Sequence, residues 1–191
     1  MKRLALYGGS FDPVHLGHVL VAQAAWEELK LDRVIFIPAA QSPFKPSREL
    51  APPTERLRLL RLALAGRSYC EIDPIEIDRG GVSYTIDTVR EYQQRFPEAR
   101  IFYLIGADHV PLLPKWRESA ELARLVSFVC IPRPGEPRAQ AAEGFQLIEL
   151  HGFPLGVSSS QIRERVRMGL PLDLLTGSAV AEAILHKKLY L

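Results

Sequence analysis

Several short runs in this chain are apolar at consecutive positions rather than at every second one. They lie within Arg3 to Tyr7, Val34 to Ile37, Ile101 to Ile105 and Leu125 to Ile131. A strand that is apolar on both faces has to be covered on both faces, which is the mark of a parallel sheet inside a layered α/β structure. Between these runs the apolar residues recur at helical spacing. His18 to Lys30, Pro53 to Leu64 and Ser83 to Phe96 are predicted helices; the second starts on proline and places Leu57, Leu60 and Leu64 on one face. Tyr69 to Ile77 reads as extended with an interruption at Pro74, and residues 39 to 52 as a proline-rich loop. Ile148 and Leu150 belong to a weaker strand, and Ser158 to Met168 and Ala179 to Lys187 to helices. The pattern predicts an α/β fold in one domain, residues 1–191. Its sheet is doubly wound and mainly parallel, with helices on both faces and a helical C-terminal segment.

In such sheets ligands bind beyond the carboxyl ends of the strands. Here those places are Gly8 to His18, Pro38 to Lys45, Gly106 to Asp108 and Pro132 to Gly135. Composition narrows the ligand. The 191 residues carry 24 basic and 22 acidic side chains, a formal charge of +2, so no bulk attraction to nucleic acid or to a membrane surface is expected. No apolar run reaches the roughly 20 residues needed to span a bilayer, and Met1-Lys2-Arg3 leads straight into a strand rather than a signal peptide; the cytoplasm is the expected location. Cys70 and Cys130 stand apart, without metal-ligand spacing, and read as small hydrophobes in or near strands. A small polyanion held by local groups remains.

Two segments supply such groups. The first runs Gly8-Gly9-Ser10-Phe11-Asp12-Pro13-Val14-His15-Leu16-Gly17-His18. Glycines directly after a strand let the backbone approach a ligand. The spacing of His15 and His18 puts both imidazoles on one side of the first helical turn, where free N–H groups add positive potential, and Gly17 keeps that surface clear. The spacing of neither a Walker A loop nor a Gly-x-Gly-x-x-Gly dinucleotide loop is present. Asp12 reads as a turn-stabilising residue. The second segment, Val157-Ser158-Ser159-Ser160-Gln161-Ile162-Arg163, reads as a helix N-terminus with capping hydroxyls, and Arg163 one turn further on is within reach of a phosphate there.

Taken together, the His-x-Gly-His and Ser-Ser-Ser-x-Ile-Arg segments resemble the nucleotidyltransferase superfamily, and nearly the whole chain is similar to bacterial nicotinate mononucleotide adenylyltransferase. The opening Gly8 to Pro13, the lysine loop Ser42-Pro43-Phe44-Lys45-Pro46, and Ser83-Tyr84-Thr85-Ile86-Asp87-Thr88 carry the likeness. So do Ile105-Gly106-Ala107-Asp108, Leu113-Pro114-Lys115-Trp116, Arg133-Pro134-Gly135 and the ending Val180 to Tyr190. Ser10 stands where threonine is commoner, and Arg117 where some relatives carry an aromatic. The resemblance implies a Rossmann-like fold. It implies that His15, His18, Lys45, Ser159 and Arg163 hold the ATP phosphates, with His15, His18, Lys45 and Arg163 as the catalytic set. It further implies that Gly8, Gly9, Ser10 and Phe11 line the nucleotide, that Gly106 and Asp108 contact the adenosine, and that Thr85, Trp116 and Arg133 bind nicotinate mononucleotide.

The implied reaction needs no enzyme nucleophile, because the mononucleotide phosphate is already anionic. Positioning and charge stabilisation are then the whole task. With no carboxylate cage in the sequence, Mg²⁺ is expected to arrive with ATP, and no metal site of the protein's own is expected. The expected partners are ATP and nicotinate mononucleotide, with no nucleic acid and no membrane, and a homo-oligomer left open. Ser83 reads as the N-cap of its helix, so the free N–H groups of the following turn favour a carboxylate over a carboxamide and predict a preference for the nicotinate form. A pantetheine-phosphate transferase, a non-catalytic nucleotide-binding domain and an RNA-binding module are the rivals. Residues 83–88 with Trp116, the full set of phosphate-facing groups, and the short, nearly neutral chain argue against them in turn.

Overall fold

The computed structural model describes residues 1–44, 50–131, 140–153 and 155–191. Among them, six strands form one sheet in the order β3-β2-β1-β4-β5-β6, and every pairing is parallel. The strands are β1 (Arg3–Gly9), β2 (Arg33–Pro38), β3 (Cys70–Ile72), β4 (Arg100–Leu104), β5 (Ser127–Cys130) and β6 (Leu147–Glu149). The chain lays down β1, β2 and β3 toward one edge, then returns beside β1 with β4 and continues to the other edge. The order reverses between β1 and β4, and a crevice opens at their carboxyl ends.

Consecutive apolar runs have the consequence expected of them. Ala5 and Tyr7 point into one core with Ala22, Leu60 and Ile184, while Leu4 and Leu6 point into a second with Ile86, Val89 and Leu122. The first face is covered by α1 (Leu16–Leu29), α2 (Pro53–Leu64) and the C-terminal helices; the second by α4 (Thr85–Arg95) and α5 (Ser119–Leu125). The C-terminal helices are α6 (Ser159–Arg167), α7 (Asp173–Thr176) and α8 (Ser178–His186). No helix among the described residues is long and apolar enough to cross a membrane.

Several boundaries differ from the sequence reading. Residues 69–77 are not one extended piece: β3 stops at Ile72, and Pro74 caps a short helix, α3 (Ile75–Arg79). Proline fits there because its missing N–H is one that a helix start leaves unpaired anyway. Leu125 ends α5 rather than starting β5, and a 3₁₀ segment, Ala107–Lys115, holds Pro111 and Pro114 where no element was expected. The buried side of α2 is Arg56, Leu59, Leu60 and Leu64, with Leu57 only half-buried. Tyr84, not Ser83, occupies the N-cap position of α4; the Ser83 hydroxyl instead accepts from the Ala40 N–H at 3.0 Å. Cys70 opens β3 and Cys130 closes β5; burial pushes each thiol up to about 11, which keeps both protonated at neutral pH.

Candidate active site

A cleft of about 360 Å³ lies over the carboxyl ends of β1 and β4. The end of β1 and the loop beyond it form its floor. At Gly8 an added Cβ would come within 2.2 Å of the Tyr103 hydroxyl, so a side chain there would displace the Tyr103 ring. Phe11 has φ 45°, which turns its ring inward to 5.0 Å from the His18 ring and 5.5 Å from that of Tyr7.

His15 takes the N-cap of α1 with extended backbone. Its ring stacks on that of His18, centroids 3.7 Å apart. The His15 backbone N–H donates to His18 Nδ1 at 3.2 Å. A ring nitrogen that accepts from an N–H carries no proton, so a neutral His18 holds its proton on Nε2. Burial, and secondly the neighbouring His15, hold the His18 pKa well below 6.5, so the ring is neutral at physiological pH. It is a donor without being a cation. Gly17 lets the two rings stack: a Cβ there would meet His15 Nδ1 and Val157 at 3.0 Å each. Gly17 also lines the cleft, so its missing side chain serves both the ring packing and the open surface.

The N-terminus of α6 closes the other side. Ser158 caps it, accepting from the Gln161 N–H, and the Gln161 side chain returns a bond to the Ser158 N–H at 2.9 Å. Ser159 donates its hydroxyl to the Pro13 carbonyl at 2.8 Å. Arg163 donates to the Asp12 carbonyl at 2.7 Å and to the Ser160 hydroxyl at 2.9 Å. Two helix starts therefore meet at the Asp12-Pro13 turn, and both leave first-turn N–H groups facing the cleft region, a ready anion site. Asp12 itself is buried, near Tyr190, and accepts from the Ala51 N–H at 3.1 Å, so its side chain ties the turn to the start of α2 rather than closing the turn on its own backbone.

The far half of the cleft is aromatic and polar. Trp116, just past the 3₁₀ segment, stands edge-on to Tyr103 and Phe128 and beside Phe44 and His109, all with centroids about 6 Å away. Thr85, the first residue of α4, donates to the Tyr103 hydroxyl at 3.3 Å. Arg117 turns outward: its guanidinium lies 4.7 Å from the Tyr84 ring centroid and 3.9 Å from Asp87. Gly106 caps the 3₁₀ segment at the end of β4, and Asp108 stands exposed at the cleft mouth.

Comparison with known proteins agrees with this geometry. A cytidylyltransferase-like family model matches residues 6–165. A probable nicotinate-nucleotide adenylyltransferase of Opitutus terrae is 40% identical, over 98% of this chain and 97% of the relative. One of Shouchella clausii is 42% identical, over 100% and 97%. The chain belongs to the nicotinate-nucleotide adenylyltransferase family. Its fold also matches the Plasmodium falciparum nicotinic acid mononucleotide adenylyltransferase complexed with NaAD, with a TM-score of 0.82 at 18% identity over 100% of this chain and 98% of that one. The all-parallel, Rossmann-like sheet is therefore the family's fold.

In this member of the family, the cleft is lined by Gly8, Gly9, Ser10, Phe11, His15 and His18 from the first motif, and by Gly106 and Asp108 from the end of β4. Ser159, Thr85 and Trp116 also face it, while Arg163 braces the Asp12-Pro13 turn at its edge. Lys45 and Arg133 lie outside the described residues. Sequence reasoning missed Tyr103, Glu76, Phe44 and His109, all of which line the cleft. It also missed Arg56, which is 1% exposed and donates to the Ser10 carbonyl at 2.8 Å, fixing the loop after β1 from α2. Glu76 gave no signal: in Asp73-Pro74-Ile75-Glu76-Ile77-Asp78 it is one acid among three, and only the fold buries it.

Proposed function

We propose that this cleft transfers AMP from ATP to nicotinate mononucleotide, forming nicotinate adenine dinucleotide and pyrophosphate. The observation that carries the reading is the stacked His15–His18 pair at the start of α1, facing the start of α6 across the switch point of the sheet. Names of relatives across the full length of the chain support the substrate, as does a like-folded protein complexed with NaAD.

An oxygen of the mononucleotide phosphate attacks the α-phosphorus of ATP. The new P–O bond forms as the bond to the bridging oxygen breaks, and that electron pair leaves on pyrophosphate. The barrier is anion repulsion and alignment, so fixed donors aimed at the leaving oxygens do the catalysis. In this reading the Nε2–H of neutral His18, the His15 ring and the first-turn N–H groups of α1 and α6 meet the phosphates, with Lys45 and Arg163 adding positive charge. Gly8 to Phe11, Ser159, Gly106 and Asp108 take the rest of ATP. Thr85 and Trp116 take the pyridine ring, and Arg133 the mononucleotide phosphate.

Among the described residues no group of three His, Cys, Asp or Glu side chains is placed to hold a metal ion, and Asp12 accepts from the Ala51 N–H. Mg²⁺ fits as part of the substrate, entering on the ATP phosphates with several of its waters. Both substrates are small polar metabolites, and the reading places the protein in the cytoplasm.

Pyrophosphate release with ATP, Mg²⁺ and a panel of mononucleotides tests the proposal. Turnover with the pyridine mononucleotides and none with phosphopantetheine is the expected result. Release only with phosphopantetheine, or with no acceptor at all, overturns it.

A further inference from the structure

A buried acid is bonded to the first turns of α4. Glu76, on α3, is 4% exposed and borders the aromatic half of the cleft. The Thr88 hydroxyl donates to Glu76 Oε1 at 2.7 Å, and the Ser83 hydroxyl lies near enough to favour the ionised carboxylate. The oxygens of both hydroxyls are already acceptors. Thr88 Oγ1 receives Arg79 Nη1 at 3.4 Å, and Ser83 Oγ receives the Ala40 N–H at 3.0 Å. Each hydroxyl has one proton; that of Thr88 is turned toward Glu76, and that of Ser83 has the same carboxylate within its surroundings. A carboxylate can accept both. A carboxamide can accept them only on its oxygen, and its NH₂ would face a hydroxyl whose proton points back at it.

Those two hydroxyls bracket the N-terminal turn of α4. Ser83 precedes the Tyr84 N-cap, and Thr88 lies just past the first turn that holds Thr85. Ser83 itself ties this turn to the chain after β2, where its N–H bonds the Gln41 carbonyl at 2.9 Å and its hydroxyl accepts from the Ala40 N–H. Burial raises the Glu76 pKa, against the Thr88 and Ser83 bonds and the Arg79 charge, which favour the ionised form. Asp87 and the Tyr103 hydroxyl are the other titratable groups that face it.

We propose that Glu76 is a positioning residue for the mononucleotide half of the site: its carboxylate sets the orientation of the Ser83–Thr88 turn and so the aim of that turn's N–H groups and of Thr85. This rests on the assignment of the pyridine ring to that turn. Glu76 touches no reacting atom, so its removal acts on acceptor binding and leaves the ATP side alone. The test is steady-state kinetics on Glu76→Gln, Thr88→Val and the double variant, with each substrate varied at saturating levels of the other and folding followed by circular dichroism. Expected for Glu76→Gln is a rise in mononucleotide KM of about tenfold, with the ATP KM and kcat little changed. Thr88→Val shows the same pattern, and the double variant is no worse than Glu76→Gln, because both break one network. An unchanged mononucleotide KM, an equal rise in the ATP KM, or full additivity overturns the proposal. If Glu76→Gln fails to fold, Thr88→Val alone decides by the same split. A wild-type enzyme that neither binds nor turns over nicotinate mononucleotide overturns the substrate assignment and this role with it; a working wild type with unaffected variants overturns this role only.

Discussion

His18 turns its Nδ1 to the backbone N–H of His15, and that contact fixes where its remaining proton points. A protonated ring would lose the contact and set a buried charge against the His15 ring, centroids 3.7 Å apart. The folded protein therefore resists protonating it. Because the folded pKa lies below the ordinary value of 6.5, the stability this gives is full above that pH and is lost as pH falls below it, while the unfolded chain takes up the proton. Imidazole ¹⁵N shifts should show His18 still neutral at pH 6; a titration midpoint at or above 6.5 contradicts the geometry. His18→Ala should keep the fold and lower kcat on the order of 100-fold, as for loss of one preorganised donor. Near-normal kcat in a folded variant would remove His18 from the chemistry. Trp116 is a different kind of residue. Its ring can stack on nicotinate or nicotinamide alike, so Trp116→Ala should raise KM for both mononucleotides by similar factors; a selective effect on one would show that the indole chooses between them.

At the level of elements, the sequence was most legible where one physical signal dominated. The apolar runs placed β1, β2 and β4 to within a residue or two, and the Ser158 signature placed the start of α6. It failed where local propensity and tertiary contact disagreed. Pro74 read as an interruption, yet it opens α3, and residues 107–115, where the sequence pattern predicts no element, form a 3₁₀ segment around Pro111 and Pro114 with Val110 and Leu113 buried in the core beside β4. Ser83 read as a cap because serine favours that position, but its hydroxyl is engaged by Ala40, distant in sequence by more than forty residues. The histidine and serine motifs were legible because their chemistry is local. Tyr103 and Arg56 were not, since they reach the site from other elements. The α6 cap offers a test. Ser158→Ala removes the bond to the Gln161 N–H and should cost about 1 kcal/mol, lowering Tm by roughly 2–4 °C. An unchanged Tm would show that docking of Ser159 and Arg163 on the Asp12-Pro13 turn holds the helix start without its cap.

Across the whole molecule, the sheet order decides where chemistry is possible. Reversal between β1 and β4 opens one crevice. The starts of α1 and α6 bring unpaired N–H groups to one end of it, and the start of α4 brings them to the other. The first end suits a polyphosphate. The second has Tyr84 at its N-cap, and the proposed function gives the N–H groups after it to a carboxylate. The correction of the cap from Ser83 to Tyr84 leaves that argument in place, because Thr85 lies in the first helical turn with either cap. A charge-assisted bond to a carboxylate is worth about 1.5–3 kcal/mol, which predicts a preference of roughly 10- to 150-fold for nicotinate over nicotinamide mononucleotide. The direct measurement is kcat/KM for the two mononucleotides at saturating ATP and Mg²⁺. The account predicts dinucleotide formation from both, with the nicotinate form ahead by at least about tenfold. Equal values would contradict it, showing that the start of α4 does not read the carboxylate.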